Sequence, residues 1–216
     1  MCSVLPSGVK LVAVSKTKSN DQIMEAYQQG QRLFGENKVQ ELLRKRELLP
    51  KDIEWHFIGH LQSNKVRFIA PFIALVHSVD RFKILKTIND EAKLAGRVIP
   101  YLLQFHIARE DSKFGFSHEE AIEMLSSVEF TELENVAIYG VMGMASFTED
   151  TRLINQEFSI LHEIFQNLKA DYFKGNDNFR EISMGMSNDY LLAIKNGSTM
   201  IRVGSILFGE RYLVIN

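Results

Sequence analysis

Short apolar runs rich in β-branched residues alternate with amphipathic segments along the whole of this chain. Eight runs have the length and composition of β-strands, at residues 9–15, 32–35, 55–59, 75–79, 100–106, 137–143, 181–184 and 200–204. Strands that alternate with helices build βα units around a parallel sheet. Eight strands and seven intervening helical segments in 216 residues predict an α/β fold, a single (β/α)8 barrel of the TIM type.

The main alternative is a doubly wound open sheet, which also alternates strands and helices. Its dinucleotide-binding form carries a G-x-G-x-x-G pattern after the first strand, and no such pattern follows residues 9–15. No linker-like stretch, low-complexity tract or strong internal repeat divides the chain. We therefore expect residues 1–216 to form one barrel domain, with its usable chemistry at the C-terminal ends of the strands.

The helical segments carry recognisable end signals. A helix over residues 21–29 is expected to stop at Gly30, which suits the left-handed conformation of a helix C-terminus. Ser117 and Glu120 have the spacing of a capping box. Residues 151–169 carry apolar side chains at helical spacing, and we expect this stripe to pack in the core.

Charge and cysteine content exclude several classes of protein. The net charge is −2 and the isoelectric point about 6.3, so no overall field favours nucleic acid or an anionic membrane. The single cysteine, Cys2, excludes an intrachain disulfide, and no apolar run approaches membrane-spanning length. The N-terminus also lacks the pattern of a signal peptide. These features predict a soluble cytoplasmic protein.

The chain ends soon after the eighth predicted strand, which leaves no room for a normal eighth helix. Apolar residues near the C-terminus are expected to cover the groove between the last and first strands, together with the N-terminal segment or a partner subunit. These residues are Leu207, Phe208, Tyr212, Leu213, Val214 and Ile215.

Lys16 ends the first strand-like run, in which Val12, Val14 and Lys16 are alternate residues. Alternation places their side chains on one face, with the amine at the strand end. A partly desolvated amine is a good nucleophile that can condense with an aldehyde. The pattern predicts a Schiff base with a phosphorylated aldehyde, and the alternative is an ordinary surface lysine.

Two segments predict a phosphate site. Gly204 and Ser205 follow the eighth strand, and Ser187 follows the seventh. Loops after the last two strands are the usual phosphate site of this barrel, because their backbone N–H groups can approach an anion. The alternative for Ser187 is a plain helix N-cap, with Gly197 ending the same helix.

Arg202 is expected to point into the barrel if Ile201 and Val203 pack on the helices. A guanidinium there requires an anion or a hydrogen-bond acceptor. The alternative to a ligand is a structural ion pair with an acid such as Glu36 or Asp80.

His56 and His60 have i, i+4 spacing, but they flank Gly59 on a strand and turn rather than on a helix. The helical zinc pattern therefore does not apply, and we expect core or capping histidines and no metal site. No Ser-His-Asp array is evident, although its members need not be adjacent in sequence.

Six ordered segments closely resemble the YggS/PROSC family of pyridoxal phosphate homeostasis proteins. They are VSKTK (14–18), FGEN (34–37), WHFIG (55–59), LQSNK (61–65), SMGMS (183–187) and GSTMIRVG (197–204). The resemblance covers nearly the whole chain. It implies a barrel like that of alanine racemase, of the type III fold of pyridoxal phosphate enzymes without the β domain.

The resemblance also implies a cofactor site for pyridoxal 5′-phosphate (PLP). Lys16 would carry the cofactor as a Schiff base, and Arg202 would face the pyridine nitrogen. Ser187, Gly204 and Ser205 would hold the phosphate. Asn37 and Met142 would line the ring pocket.

The function implied is intracellular PLP homeostasis, by buffering and delivery, in a binding protein with no established catalytic reaction. Partners would be PLP and, transiently, PLP-dependent apo-enzymes, with the chain a monomer or weak dimer. A PLP-dependent amino-acid racemase or decarboxylase is the first alternative. A cofactor-independent aldolase that uses Lys16 directly is the second.

Overall fold

The computed structural model describes residues 5–108 and 114–209, which form a closed barrel of eight parallel strands. Each strand pairs with the next along the chain, and the eighth pairs with the first. The strands are β1 (Lys10–Val14), β2 (Leu33–Glu36), β3 (Glu54–Phe57), β4 (Leu75–Val79), β5 (Ile99–Gln104), β6 (Val136–Met142), β7 (Glu181–Ser183) and β8 (Met200–Val203).

Helices fill every connection on the outside of the barrel. They are α1 (Asn20–Gln28), α2 (Val39–Leu48), α3 (Ser63–Ile69), α4 (Phe82–Leu94), α5 (His118–Leu125), α6 (Val128–Thr131), α7 (Thr151–Asp171), α8 (Tyr190–Lys195) and α9 (Ser205–Phe208). Both α5 and α6 lie between β5 and β6, and α9 follows β8. The predicted (β/α)8 barrel is confirmed, and the open-sheet alternative is wrong.

All eight predicted strands are present, and no end shifts by more than two residues. The third strand ends at Phe57 rather than Gly59, and the fifth ends at Gln104 rather than His106. Beyond the third strand the backbone of Gly59 lies very close to Asn37, since a Cβ on Gly59 would lie 2.7 Å from Asn37 Cα. The chain leaves the sheet there and packs on the turn after β2.

The helix end signals behave as predicted. Gly30 follows α1 with φ +93°, and Ser117 and Glu120 form the reciprocal capping box that starts α5. The stripe on α7 is buried, but it includes a carboxylate, Glu157, that is 2% exposed. That buried acid matters for the site.

Two layers of side chains build the core. The larger lies between the strands and the helices, where Phe34, Trp55 and Phe158 are almost fully buried. A smaller cluster fills the inside of the barrel, from Val12, Leu75, Leu102, Met142 and Met200. Strand alternation puts the second set inward and their sequence neighbours outward.

The groove between β8 and β1 is covered by local segments of this chain. Leu11, Ile201 and Val203 are packed by Leu5, Val9, Tyr190, Ile194 and Leu207. The predicted role of Leu207 is therefore confirmed, while Phe208 packs against the main core. Tyr212, Leu213, Val214 and Ile215 lie outside the described residues.

None of the helices in the described part of the chain combines the length and the apolar character that crossing a bilayer requires.

Candidate functional site

A pocket of about 530 Å³ opens at the C-terminal ends of the strands. Turns after β1, β2, β3, β6, β7 and β8 supply its walls. The lining residues are Val14, Lys16, Lys18, Asn37, Ile58, Met144, Ala145, Ser146, Phe147, Thr148, Ile154, Met186, Ser187, Asn188, Asp189, Arg202, Gly204, Ser205 and Gly209. This is the end of the barrel at which the sequence places chemistry.

The pocket brings together six of the seven residues predicted for a cofactor site. Those six are Lys16, Asn37, Ser187, Arg202, Gly204 and Ser205. Met142 is not among the lining residues, because it is fully buried in the cluster inside the barrel. The residues that line the pocket after β6 begin two positions later, at Met144.

Lys16 reaches the pocket through the alternation of β1. Val12 packs in the cluster inside the barrel, and Val14 and Lys16, on the same face by alternation, both line the pocket. Ser15 N donates to Gly35 O at 3.1 Å, which continues the parallel pairing past the last residue of β1. Lys16 is partly buried. Its place in the pocket wall favours a site lysine over an ordinary surface lysine.

Arg202 is buried at the end of β8, with 4% of its surface exposed. Its Nη1 donates to Ser183 O at 2.8 Å and to Ser183 Oγ at 2.6 Å, and its Nη2 donates to Gly143 O at 3.0 Å. Burial lowers the pKa of Arg202 to about 10, a change that Asp189 opposes. The side chain therefore remains a cation at neutral pH.

The alternative for Arg202, a structural ion pair with Glu36 or Asp80, is wrong. Glu36 accepts hydrogen bonds from Ser15 and Lys45, and Asp80 pairs with His60 and Arg81. Carbonyl groups and one hydroxyl satisfy the guanidinium instead. These acceptors carry no charge, and Asp189 acts on the guanidinium electrostatically, so Arg202 remains a cation that a ligand in the pocket can meet.

A chain of buried imidazoles leads to Arg202 from inside the barrel. His56 Nδ1 lies 2.9 Å from His77 Nε2, and His77 Nδ1 lies 2.9 Å from Ser183 Oγ. Burial, with a smaller contribution from Lys10, lowers the pKa of His56 to about 3. Burial also holds the pKa of His77 well below its usual value, helped by His56 and Arg202. Both rings are neutral near pH 7.

The expectation of core or capping histidines therefore fits His56, which is buried. His60 pairs with Asp80 and lies against the Phe114 ring, with 4.3 Å between ring centroids. Within residues 5–108 and 114–209, no group of three or more His, Cys, Asp or Glu side chains could hold a metal ion.

The turns after β7 and β8 meet in the wall of the pocket next to β1. Gly204 N donates to Ser187 Oγ at 3.3 Å, so the two predicted phosphate segments are in contact. A Cβ on Gly204 would lie 3.1 Å from Val14 O, which shows how closely β8 approaches β1 there. The three residues predicted to hold a phosphate thus lie on one wall.

Ser187 is not the N-cap of the following helix, so that alternative is wrong. α8 begins at Tyr190 with Asp189 at the N-cap position, and Asp189 Oδ1 accepts from Met186 N at 2.5 Å. The turn of residues 186–189 is thereby closed before the helix starts. Gly197 does follow the end of α8, with φ +90°.

The sequence reasoning missed the segment of residues 144–148 after β6. Met144 and Phe147 line the pocket, with 41% and 83% of their surfaces exposed. Ser146 is bonded to α7, since its N and Oγ each donate to a Glu157 oxygen at 2.7 Å. The sequence does carry one signal for this segment, which is the acidic Glu157 within the apolar stripe of α7. A carboxylate buried there needs a hydrogen-bond donor from a neighbouring segment.

The sequence profile described as alanine racemase, N-terminal domain, matches residues 1–212. The pyridoxal phosphate homeostasis protein of Vibrio alginolyticus is 39% identical over 215 residues, which cover 97% of this chain and 90% of that protein.

Among solved structures, PipY of Synechococcus elongatus with PLP bound is 34% identical, with a TM-score of 0.86 and 96% of each chain covered. The alanine racemase of E. faecalis is 18% identical, with a TM-score of 0.70. Its match covers 97% of this chain and 56% of that enzyme, so this similarity shows the barrel alone.

Proposed function

This chain belongs to the alanine racemase N-terminal domain family and, within it, to the pyridoxal phosphate homeostasis proteins, and we propose that it binds PLP through Lys16 and acts in PLP homeostasis. One observation carries the proposal. A lysine, a buried arginine and two contacting turns after β7 and β8 line the same pocket.

Residues of the pocket fit a small planar ligand with an anionic group. Asn37 Oδ1 is buried and has no hydrogen-bond partner among the described residues. A buried polar atom without a partner is costly, so a ligand donor is a natural complement. Ile58, Ala145 and Ile154 supply apolar surface in the same pocket, as a planar ring requires.

The roles follow from position and charge. When bound, PLP supplies an aldehyde that condenses with amines and a ring that withdraws electrons from them. We assign the attachment to Lys16 and the phosphate to Ser187, Gly204 and Ser205. We assign Arg202 to the ring nitrogen, where a permanent cation opposes protonation of that nitrogen and weakens the ring as an electron sink.

That assignment favours a cofactor-binding protein over an enzyme. The curated relative is named for homeostasis, and the racemase shares only the barrel. A racemase or decarboxylase needs an acid or base that acts on the substrate in addition to the lysine. Of the other ionisable lining residues, Lys18 donates to the carbonyls of Phe208 and Gly209 and Asp189 accepts from Met186 N, so we assign neither to that role.

We further propose that residues 1–216 form one domain that works in the cytoplasm and passes PLP to apo-enzymes. Support comes from the position of the pocket at the open end of the barrel. Sedimentation of the purified chain tests the expected monomer or weak dimer. Reactivation of a PLP-dependent apo-enzyme, followed after mixing with loaded protein, tests delivery.

Borohydride reduction of the PLP-loaded protein, followed by peptide mapping, tests cofactor identity and attachment together. We expect a yellow protein and one modified peptide, which carries Lys16. Lys16→Ala should abolish both, whereas Lys38→Ala removes an exposed lysine at the start of α2 and should change neither. Modification of another lysine would overturn the assignment of Lys16.

Two other outcomes would favour the alternative functions. Exchange of an amino acid α-proton for deuterium at catalytic rate would indicate a racemase or a related enzyme. A colourless protein that does not bind added PLP would point to direct attack of Lys16 on a substrate carbonyl.

A further inference from the structure

The turn that carries Lys16 is bonded to a charged cluster, which we call the Lys45 cluster and define as Glu36 and Lys45, both buried, with Glu41, which is partly buried. Glu36 ends β2, and the other two lie four residues apart on α2. Lys45 Nζ lies 2.7 Å from Glu36 Oε1 and 2.6 Å from Glu41 Oε1. None of the three lines the pocket.

The cluster bonds to the residue before Lys16. Lys45 Nζ donates to Ser15 O at 2.7 Å, and Ser15 Oγ donates to Glu36 Oε1 at 2.6 Å. An ammonium has three protons, and the contacts with Glu36, Glu41 and Ser15 use them all. Ser15 itself is fully buried, so its backbone and its hydroxyl are both fixed.

The cluster also bonds to the residue after Lys16. Glu41 Oε1 accepts from Thr17 N at 2.6 Å. Thr17 has φ +65° and is the one non-glycine residue with positive φ in the described part of the chain. A β-branched residue strongly disfavours this conformation, so the surrounding bonds must hold it.

A buried charged cluster is a poor source of stability, because desolvation offsets the attraction between its charges. Burial raises the pKa of Glu36, although Lys45 and Ser15 oppose the shift. For Glu41, burial works in the same direction, but the bonds from Lys45 and Thr17 hold its pKa below the usual value. Stability alone does not account for the cluster, whereas its bonds on both sides of Lys16 suggest a role.

We propose that Glu41 and Lys45 are positioning residues, which aim the Lys16 amine into the pocket by fixing the Ser15 carbonyl and the Thr17 amide. The inference rests on the proposed attachment of PLP to Lys16. Its geometric part, the fixed left-handed turn at Thr17, does not depend on PLP.

The test measures how fast PLP becomes attached to Lys16, by borohydride trapping and mass spectrometry of the Lys16 peptide. Glu41→Ala should slow trapping about tenfold, which converts to about 1.4 kcal/mol. Glu41→Gln keeps an oxygen that can accept from Thr17 N and should recover most of the rate. Glu47→Ala, an exposed acid on the same helix, is the control and should trap like the wild type.

A second substitution separates positioning from loss of stability. Glycine adopts positive φ without strain, so Thr17→Gly in the Glu41→Ala background should restore part of the trapping rate. Pyridoxine 5′-phosphate lacks the aldehyde. The affinity of Glu41→Ala for this compound should stay within about twofold of the wild-type affinity. An equal loss of both quantities, or no rescue by glycine, would overturn the positioning role.

Hydrogen exchange of the Thr17 amide distinguishes failure of this inference from failure of the proposed function. We expect protection in the wild type and in Glu47→Ala, and faster exchange in Glu41→Ala. If the wild type binds no PLP while this pattern holds, the proposed function fails and the turn is still held as described. If Glu41→Ala exchanges and traps like the wild type, the inference is wrong.

Discussion

The Ser183 hydroxyl accepts a hydrogen bond from Arg202 Nη1 at 2.6 Å, inside the barrel and next to the pocket. Because a guanidinium can only donate, the Ser183 proton remains available for His77 Nδ1, 2.9 Å away. Since His77 Nδ1 then accepts, we assign the single ring proton of neutral His77 to Nε2, which donates to His56 Nδ1. One serine thus connects the pocket arginine to two neutral imidazoles.

Ser183→Ala should destabilise the protein by about 1–3 kcal/mol, because it leaves buried polar partners on both sides without their bond. Urea unfolding measures the change. Ser159→Ala is the matched control, since that half-buried hydroxyl makes a single bond to Asn196 at 3.0 Å. A loss no larger than that of the control would show that the serine does not anchor Arg202.

Lys45→Met should lower the free energy of unfolding by about 3–5 kcal/mol, because it leaves the carboxylate of Glu36 buried without its cation. The double variant Glu36→Leu with Lys45→Met removes both charges, and we expect it to be more stable than the single variant. Chemical denaturation of both proteins checks the order. Equal stabilities would contradict a true buried ion pair.

Gly59→Ala should destabilise by about 1–3 kcal/mol, since the added Cβ would meet the backbone of Asn37. Weaker PLP binding should accompany the loss, because Asn37 lines the pocket. Gly175→Ala is the control. It strains a backbone with φ +81° but causes no clash, because no atom lies within 4 Å of the added Cβ. Gly175→Ala should lower stability without changing PLP affinity.

Stability should fall as the pH drops from about 6.5 toward 3. A histidine whose pKa is lowered on folding contributes stability that is present above its unfolded pKa and lost on acidification. With the pKa of His56 at about 3, its contribution to the slope is about 1.4 kcal/mol per pH unit in that window. Stability rises with pH there because the unfolded chain binds more protons.

His56→Gln should reduce the slope by about 1.4 kcal/mol per pH unit between pH 6 and 5, where most carboxylates remain ionised, while His77, whose pKa is also lowered, keeps its own contribution. Denaturant unfolding at several pH values measures the slope. His106→Gln removes an exposed imidazole and is the control. An unchanged slope in His56→Gln would show that the buried ring is not the group responsible.

Local patterns predicted the order of the elements and much of the site. The eight strands, the capping box of Ser117 and the inward face of Lys16 follow from periodicity and helix-end chemistry, which depend on neighbouring residues. Assignment of Ser187, Gly204 and Ser205 to one wall follows from the barrel architecture once the strands are known.

The contacts that link distant residues could not be predicted in this way. Lys45 with Glu36, Arg202 with Ser183, and Ser146 with Glu157 depend on how neighbouring segments pack. Met142 shows the same limit, since it fills the inside of the barrel while Met144, two residues further along the chain, reaches the pocket.

The sequence by itself determined that this chain alternates strands and helices and presents a lysine and two glycine- or serine-bearing turns at strand ends. Short-range periodicity suffices for that, because it reflects which face of each element is apolar. Only the tertiary structure decided which buried charges meet and how the turn at Thr17 is held. Closure of the barrel sets those distances, and closure is a property of all eight strands together.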